Sequence, residues 1–229
     1  MTRIALNLQA AYAALAAAAR QAGRDPADVR LLAVSKTFPV ADIRAAMVAG
    51  QRVFAESYVQ EALPKLAELA DAGLEWHFIG PLQSNKTRAV AEHFAWVHSV
   101  DRLNIAQRLS AQRPADLPPL QVCLQVNISG EASKSGVTPA ELPALAHAVA
   151  QLPRLQLRGL MAIPAPSDDE AEQRAAFAQL AALQRQLQAD GLALDSLSMG
   201  MSHDFPAAIA AGATLVRIGT AIFGQRIYP

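Results

Sequence analysis

Residues 31–55, LLAVSKTFPVADIRAAMVAGQRVFA, decide how the rest of the chain is read. The apolar run Leu31–Lys36 is followed by a helical stretch from Pro39 to about Ala49, closed by Gly50, and then by a second short run, Arg52–Ala55. Strand, helix, strand in that order is the unit from which helix-covered parallel sheets are built. The turn out of the first strand reads Lys36-Thr37-Phe38-Pro39. A doubly wound open sheet, the competing architecture, usually carries a glycine-rich turn at that place. The unit therefore favours a closed barrel.

The same alternation extends outward along the chain. A helix from about Tyr58 to Ala72, interrupted by Pro64, leads to the run Trp76–Gly80 and a helix through Lys86–His93. The run Trp96–Val100 precedes a helix over Arg102–Gln112, and a proline-rich connection leads to Leu120–Ile128. A helix over Pro139–Leu152, the run Leu155–Ile163 and a long helix over Asp168–Ala189 come next. The run Ser196–Met201, a short helix near Pro206–Ala211, the run Thr214–Gly219 and a terminal turn to Pro229 finish the chain. Eight strand candidates, each followed by a helix or helical turn, predict an α/β fold: one (β/α)8 TIM barrel domain spanning residues 1–229.

Composition bounds the function. With 229 residues, 52% apolar and 17% charged, the chain can bury a sizeable core, which excludes disorder, collagen and coiled coil. Lys+Arg 20 against Asp+Glu 20 leaves no electrostatic footprint for nucleic acid or an anionic membrane. The longest uncharged run, Ile4–Ala19, is short of a membrane span, and Asn7 and Gln9 break it as a signal-peptide core. Ile4, Leu8, Tyr12 and Leu15 fall instead at helical spacing, with Thr2 as N-cap and Gly23 as stop. An extra N-terminal helix of a cytoplasmic protein is expected. The single cysteine, Cys123, lies in an apolar run and reads as core. A monomer is expected, although the stability of a barrel of this size does not by itself set the oligomeric state.

In such barrels chemistry gathers at the C-terminal ends of the strands. Lys36, Glu56-Ser57, Gly80-Pro81, Asn127, Gly200-Met201-Ser202-His203 and Arg217-Ile218-Gly219-Thr220 all fall there. Lys36 is either a solvated lysine or a partly desolvated amine of lowered pKa, able to form a Schiff base with an aldehyde. Ser202-His203 and Gly219-Thr220 each precede a helical turn, and small or hydroxyl residues at helix starts offer N–H and O–H donors to an anion. Both loops together predict a phosphate cup. Arg217 lies on the same side of its strand as Gly219. If that side is the barrel interior, the cation needs an acceptor, and a carboxylate and a cofactor ring nitrogen remain open. His77, His93, His98, His147 and His203 show no metal-ligand spacing, and no metal site is expected. Met199 and Met201 read equally as packing or cofactor contacts, and Glu170, Glu172 and Arg174 as a solvated helix face.

LLAVSKTFP (31–39), HFIGPLQSNK (77–86), QVNISGEASKSGV (125–137), GLMAIP (159–164) and LSMGMSHDFPAAIAAGATLVRIGTAIFGQR (197–226) resemble the pyridoxal-phosphate homeostasis proteins, in order and in spacing. The resemblance implies a barrel similar to the N-terminal domain of alanine racemase, lacking its second domain. It implies pyridoxal 5′-phosphate (PLP) held as a Schiff base by Lys36, its phosphate around Ser202, Gly219 and Thr220, and its ring nitrogen facing Arg217. Gly200, Met201, Asn127 and Ser57 complete the expected cofactor-binding set, and Lys134 matches a further family lysine. The implied role is control of free and bound PLP by buffering or delivery, with apo PLP-dependent enzymes as partners and without robust catalysis. The family's Phe-Gly-Glu-Asn motif reads Phe54-Ala55-Glu56-Ser57 here, which places the ring-edge contacts in question. The rival enzymatic readings are a racemase and a cofactor-free aldolase acting through Lys36. A two-base racemase needs a second acid or base, and none of Tyr12, Tyr58 and Tyr228 is evidently placed for that role.

Overall fold

The computed structural model describes residues 2–131 and 134–225; Ala132-Ser133, Tyr228 and the terminal turn to Pro229 lie outside them. Eight parallel strands close on themselves in chain order: β1 (Arg30–Val34), β2 (Val53–Glu56), β3 (Glu75–Phe78), β4 (Trp96–Val100), β5 (Leu120–Gln125), β6 (Leu155–Met161), β7 (Ser196–Ser198) and β8 (Leu215–Ile218). The predicted barrel is the observed one.

The strands are buried nearly end to end, as expected when both faces of a parallel sheet are covered. Leu32, Val34, Val53, Ala55, Trp96, Cys123, Met161 and Leu215 form one apolar cluster inside the barrel. A larger cluster lies between the strands and the surrounding helices. Those helices are α1 (Arg3–Gln21), α2 (Val40–Val48), α3 (Val59–Glu68), α4 (Thr87–His93), α5 (Leu103–Gln112), α6 (Leu142–Ala150), α7 (Glu170–Ala189), α8 (Phe205–Ala210) and α9 (Thr220–Phe223). None among the described residues is long and apolar enough to cross a membrane.

Helix α1 is the extra element. Thr2 caps it by accepting from the Ala5 N–H, and Gly23 follows its end in the left-handed region. It packs against α2, α8 and α9, burying Ile4, Leu8, Leu15 and Ala19. Asn7, which broke the apolar run, donates to the Ile222 carbonyl at 2.9 Å and pins α1 to α9.

Several expected boundaries move, two of them with a clear physical reason. Helix α3 runs through Pro64 to Glu68, where the sequence suggested an interruption; Gln60, whose carbonyl loses its partner to proline, is exposed and can turn to water. Strand β5 stops at Gln125 instead of Ile128. Val126 pairs with Val137 instead, and the chain turns at Asn127.

Candidate functional site

The register of β1 sets the position of Lys36. Val34 pairs with Ala55 on β2, and Ala33 with Ile218 on β8. Two residues further on, Lys36 stands at the C-terminal mouth between Ser57 on one side and Gly219-Thr220 on the other. Its Nζ lies 6.0 Å from the centre of the Tyr58 ring. A tyrosine therefore does stand beside Lys36, which the sequence did not place there. The available signal was its place just past β2, the strand that pairs with β1.

The loop carrying Lys36 is held from outside the barrel. Thr37 has φ +70°, a strained value for a β-branched residue, and its N–H donates to the Glu61 carboxylate. Glu61 also pairs with Lys65, which is buried and donates to Glu56 Oε1 and the Ser35 carbonyl, each at 3.0 Å. Ser35 Oγ donates to Glu56 at 2.7 Å. Burial raises the Glu56 pKa, and the opposing pull of Lys65 and Ser35 does not cancel it. Sequence reading missed Lys65 because its partners come from a strand, a loop and its own helix; a lysine on the inner stripe of α3 was the available signal.

Ala55, where the family motif has glycine, lies in a β-strand with ordinary negative φ, so the alanine costs no backbone strain. The tight approach is at Gly80, where a Cβ would lie 2.1 Å from the Ser57 carbonyl oxygen. Strands β7 and β8 end side by side: the Arg217 N–H donates to the Gly200 carbonyl at 3.0 Å. Gly200 has φ +91°, and a Cβ there would meet Ala208 Cβ at 2.7 Å, so the turn into α8 requires glycine. Phe38 stacks on Phe223 at 5.0 Å, tying the Lys36 loop to α9.

The expected site residues divide by what they are bonded to. Lys36, Ser57, Gly200, Ser202, Gly219 and Thr220 gather on the β7–β8–β1–β2 arc of the mouth. The Met201 N–H is engaged by Asp204 Oδ1 at 2.6 Å. Asn127 sits across the barrel, its amide donating to the carbonyls of Glu131 and Lys134 and its oxygen accepting from the Gly130 N–H. These two residues organise loops. Lys134 itself pairs with Glu131 at 3.7 Å. Met199 is core, and Cys123 is buried with its thiol pushed up to about 12 by burial. Arg174 pairs with Glu170 on the solvated face of α7.

Arg217 is buried inside the barrel, and among the described residues no carboxylate is its hydrogen-bond partner. Its Nη1 donates to the Ser198 carbonyl at 2.6 Å and to Ser198 Oγ at 2.8 Å, and its Nη2 to the Ala162 carbonyl at 2.9 Å. Burial lowers its pKa to about 10, with Asp204 acting in opposition, so it stays charged at neutral pH. A cation held by neutral carbonyls at the floor of a mouth that bears a lysine, hydroxyls and helix-start N–H groups suits an anionic ligand with a polar ring edge. PLP has that chemistry: an aldehyde for the amine, a phosphate for the helix starts, and a ring nitrogen able to accept from a guanidinium.

The profile of the family described as "Alanine racemase, N-terminal domain" matches residues 6–227. The pyridoxal phosphate homeostasis protein of Pseudomonas aeruginosa is 66% identical over 228 residues, covering 100% of this chain and 98% of the relative. That of Escherichia coli K12 is 57% identical over 231 residues, covering 100% and 99%. Among solved structures, PipY of Synechococcus elongatus PCC7942 with PLP bound superposes with a TM-score of 0.83 at 43% identity, covering 96% of this chain and 100% of that one. Alanine racemase from Corynebacterium glutamicum shares the fold at 21% identity, with a TM-score of 0.68, covering 98% of this chain and 60% of that one.

Proposed function

This chain belongs to the pyridoxal phosphate homeostasis protein family, built on the alanine racemase N-terminal domain, and from that premise we propose that it binds PLP reversibly as a Schiff base on Lys36 and buffers or delivers the cofactor. The observation that carries the proposal is the placement of Lys36 between Ser57 and Gly219-Thr220, at the mouth whose floor holds Arg217. Ser202, Gly219 and Thr220 bind the phosphate, and Arg217 donates to the ring nitrogen. Gly200 and Ser57 line the site, while Met201 and Asn127 shape its walls through their loops. The bound cofactor supplies an exchangeable carbonyl attachment, which another amine can displace.

Arginine at the ring nitrogen favours holding over catalysis. A carboxylate there would keep the nitrogen protonated and strengthen the electron sink; a guanidinium, which only donates, keeps it unprotonated. The protein on this reading is a cytoplasmic monomer and a carrier rather than a racemase, with apo PLP-dependent enzymes as recipients.

The test is a visible spectrum of the protein incubated with PLP, followed by borohydride reduction and peptide mass spectrometry. A yellow protein with phosphopyridoxyl on Lys36, and loss of the band in Lys36→Ala, is expected. No chromophore, or label scattered over surface lysines, overturns the reading. Transfer of cofactor to an apo enzyme, faster than from free PLP at equal concentration, tests delivery.

A further inference from the structure

The function proposed above uses Arg217 and leaves unexplained two buried histidines beneath it. Inside the barrel, His98 on β4 places its Nδ1 2.7 Å from Ser198 Oγ on β7. These strands are not neighbours, so the contact crosses the lumen. His98 Nε2 lies 2.8 Å from His77 Nδ1 on β3, and His77 Nε2 lies 2.6 Å from Glu75 Oε1 at the N-terminal end of the same strand. Arg30, at the start of β1, pairs with Glu75 at 2.9 Å. Ser198 Oγ in turn accepts from Arg217. One unbroken line of hydrogen bonds thus runs through the barrel, from the mouth arginine to a carboxylate at the opposite end.

With both imidazoles neutral, the two ends dictate every proton between them. A guanidinium can only donate and a carboxylate can only accept. Ser198 Oγ accepts from Arg217, so its own proton points to His98 Nδ1. His98 must then carry its proton on Nε2 and donate to His77 Nδ1. His77 likewise carries its proton on Nε2 and donates to Glu75. Both imidazoles are then Nε2–H tautomers, and all bonds point the same way. Burial lowers the pKa of each ring, with Arg217 reinforcing the effect at His98 and Arg30 at His77, while Glu75 opposes it at His77. The Trp96 ring stacks on His77 at 5.2 Å, with 5° between the planes, and Arg158 lies 5.1 Å above that indole.

We propose that Ser198, His98, His77 and Glu75 are positioning residues for Arg217: a one-way chain of donors that holds the guanidinium plane at the mouth and keeps it fully protonated against a bound ring nitrogen. The chain does not conduct a proton to the mouth. A proton entering at Glu75 could reverse the histidines, but it would stop at Ser198, because Arg217 has no acceptor to continue the line. The device orients and polarises; it does not relay. Its consequence for a ring nitrogen rests on the PLP reading, whereas the chain itself belongs to the protein without ligand.

The test begins with the cofactor-free protein labelled with 15N-histidine and 15N-arginine. Long-range imidazole spectra should show His77 and His98 as neutral Nε2–H tautomers that do not titrate between pH 8 and 5.5, and Arg217 should give separate, slowly rotating Nη signals. Ser198→Ala should mix the His98 tautomers and merge the Nη signals, and Ser198→Thr, which restores the hydroxyl, should recover both. With PLP added, Ser198→Ala should weaken binding about tenfold and shift the visible band, whereas Asp195→Asn, at the same end of the barrel as Glu75 but outside the chain, should do neither. Nδ1–H tautomers, titration near pH 6.5, or Arg217 signals indifferent to Ser198→Ala would overturn the proposal. If wild-type protein bound no PLP, the carrier reading would fall while the imidazole and guanidinium signals still decided the chain.

Discussion

The two ends of this barrel are made from the same eight strands and handle charge in opposite ways. At the N-terminal end, arginines are neutralised where they stand. Arg30 pairs with Glu75, and Arg158 grips Asp195 through Nε and Nη2. At the C-terminal end, the chain places Lys36, Ser202 and Thr220 on turns, with a buried arginine below them held by carbonyls. In a parallel barrel every strand reaches this end before its loop begins, so this rim can collect side chains from several loops around one axis. The closed end serves stability, and on the function proposed above the other serves a ligand.

The largest expected effect lies in the wall joining the two ends. A Cβ on Gly159 would fall 1.7 Å from the Ser196 carbonyl oxygen, an atom of the backbone that cannot step aside. Gly159→Ala should cost about 4 kcal/mol or prevent folding, read from the urea midpoint or the soluble yield. A variant that folds with wild-type stability would mean that β6 and β7 are not packed as described.

Next comes the floor of the mouth. Arg217→Met keeps volume but strips donors from the Ser198 and Ala162 carbonyls, and should cost about 3 kcal/mol in urea unfolding. Lys36→Ala should leave that midpoint within about 0.5 kcal/mol. Equal losses in the two variants would erase the distinction between framework and ligand groups.

Acid should act on the line joining the ends. His77 and His98 have folded pKa values below the unfolded value of about 6.5, so the unfolded chain takes up protons first and stability falls as pH falls. Between pH 7.5 and 5.5 each histidine should remove at most about 1.4 kcal/mol, the limit set by the unfolded pKa. His98→Gln should remove one share of that slope, and unchanged stability down to pH 5.5 in wild type would refute buried neutral imidazoles.

The smallest effect belongs to the N-terminal end. Asp195→Asn breaks an exposed pair with Arg158 and should cost under about 1 kcal/mol, shrinking further in high salt, without altering the PLP spectrum. A spectral change would show that this end is wired to the mouth more broadly than through Glu75.

Much of this was legible from residues alone. Eight apolar runs separated by helical spacing require a covered parallel sheet, and the missing glycine-rich turn after Leu31–Lys36 favours closure. Lys36, Gly200 and Arg217 could be placed on one rim because strand ends follow from those runs. Helix α3 was misjudged at Pro64 because propensity penalises proline while an exposed carbonyl can recover its bond from water.

The sequence by itself determined the element order, the parallel barrel and the rim on which the unusual residues lie, because periodicity and turn chemistry are local properties. Only the tertiary structure decided what those residues touch. The acceptors of Arg217 lie 19 and 55 positions away along the chain, and His98 meets Ser198 across 100 residues. Hydrogen bonding acts over about 3 Å of space, so the partners of a buried charge are settled by how the sheet closes, and no local pattern of residues records that.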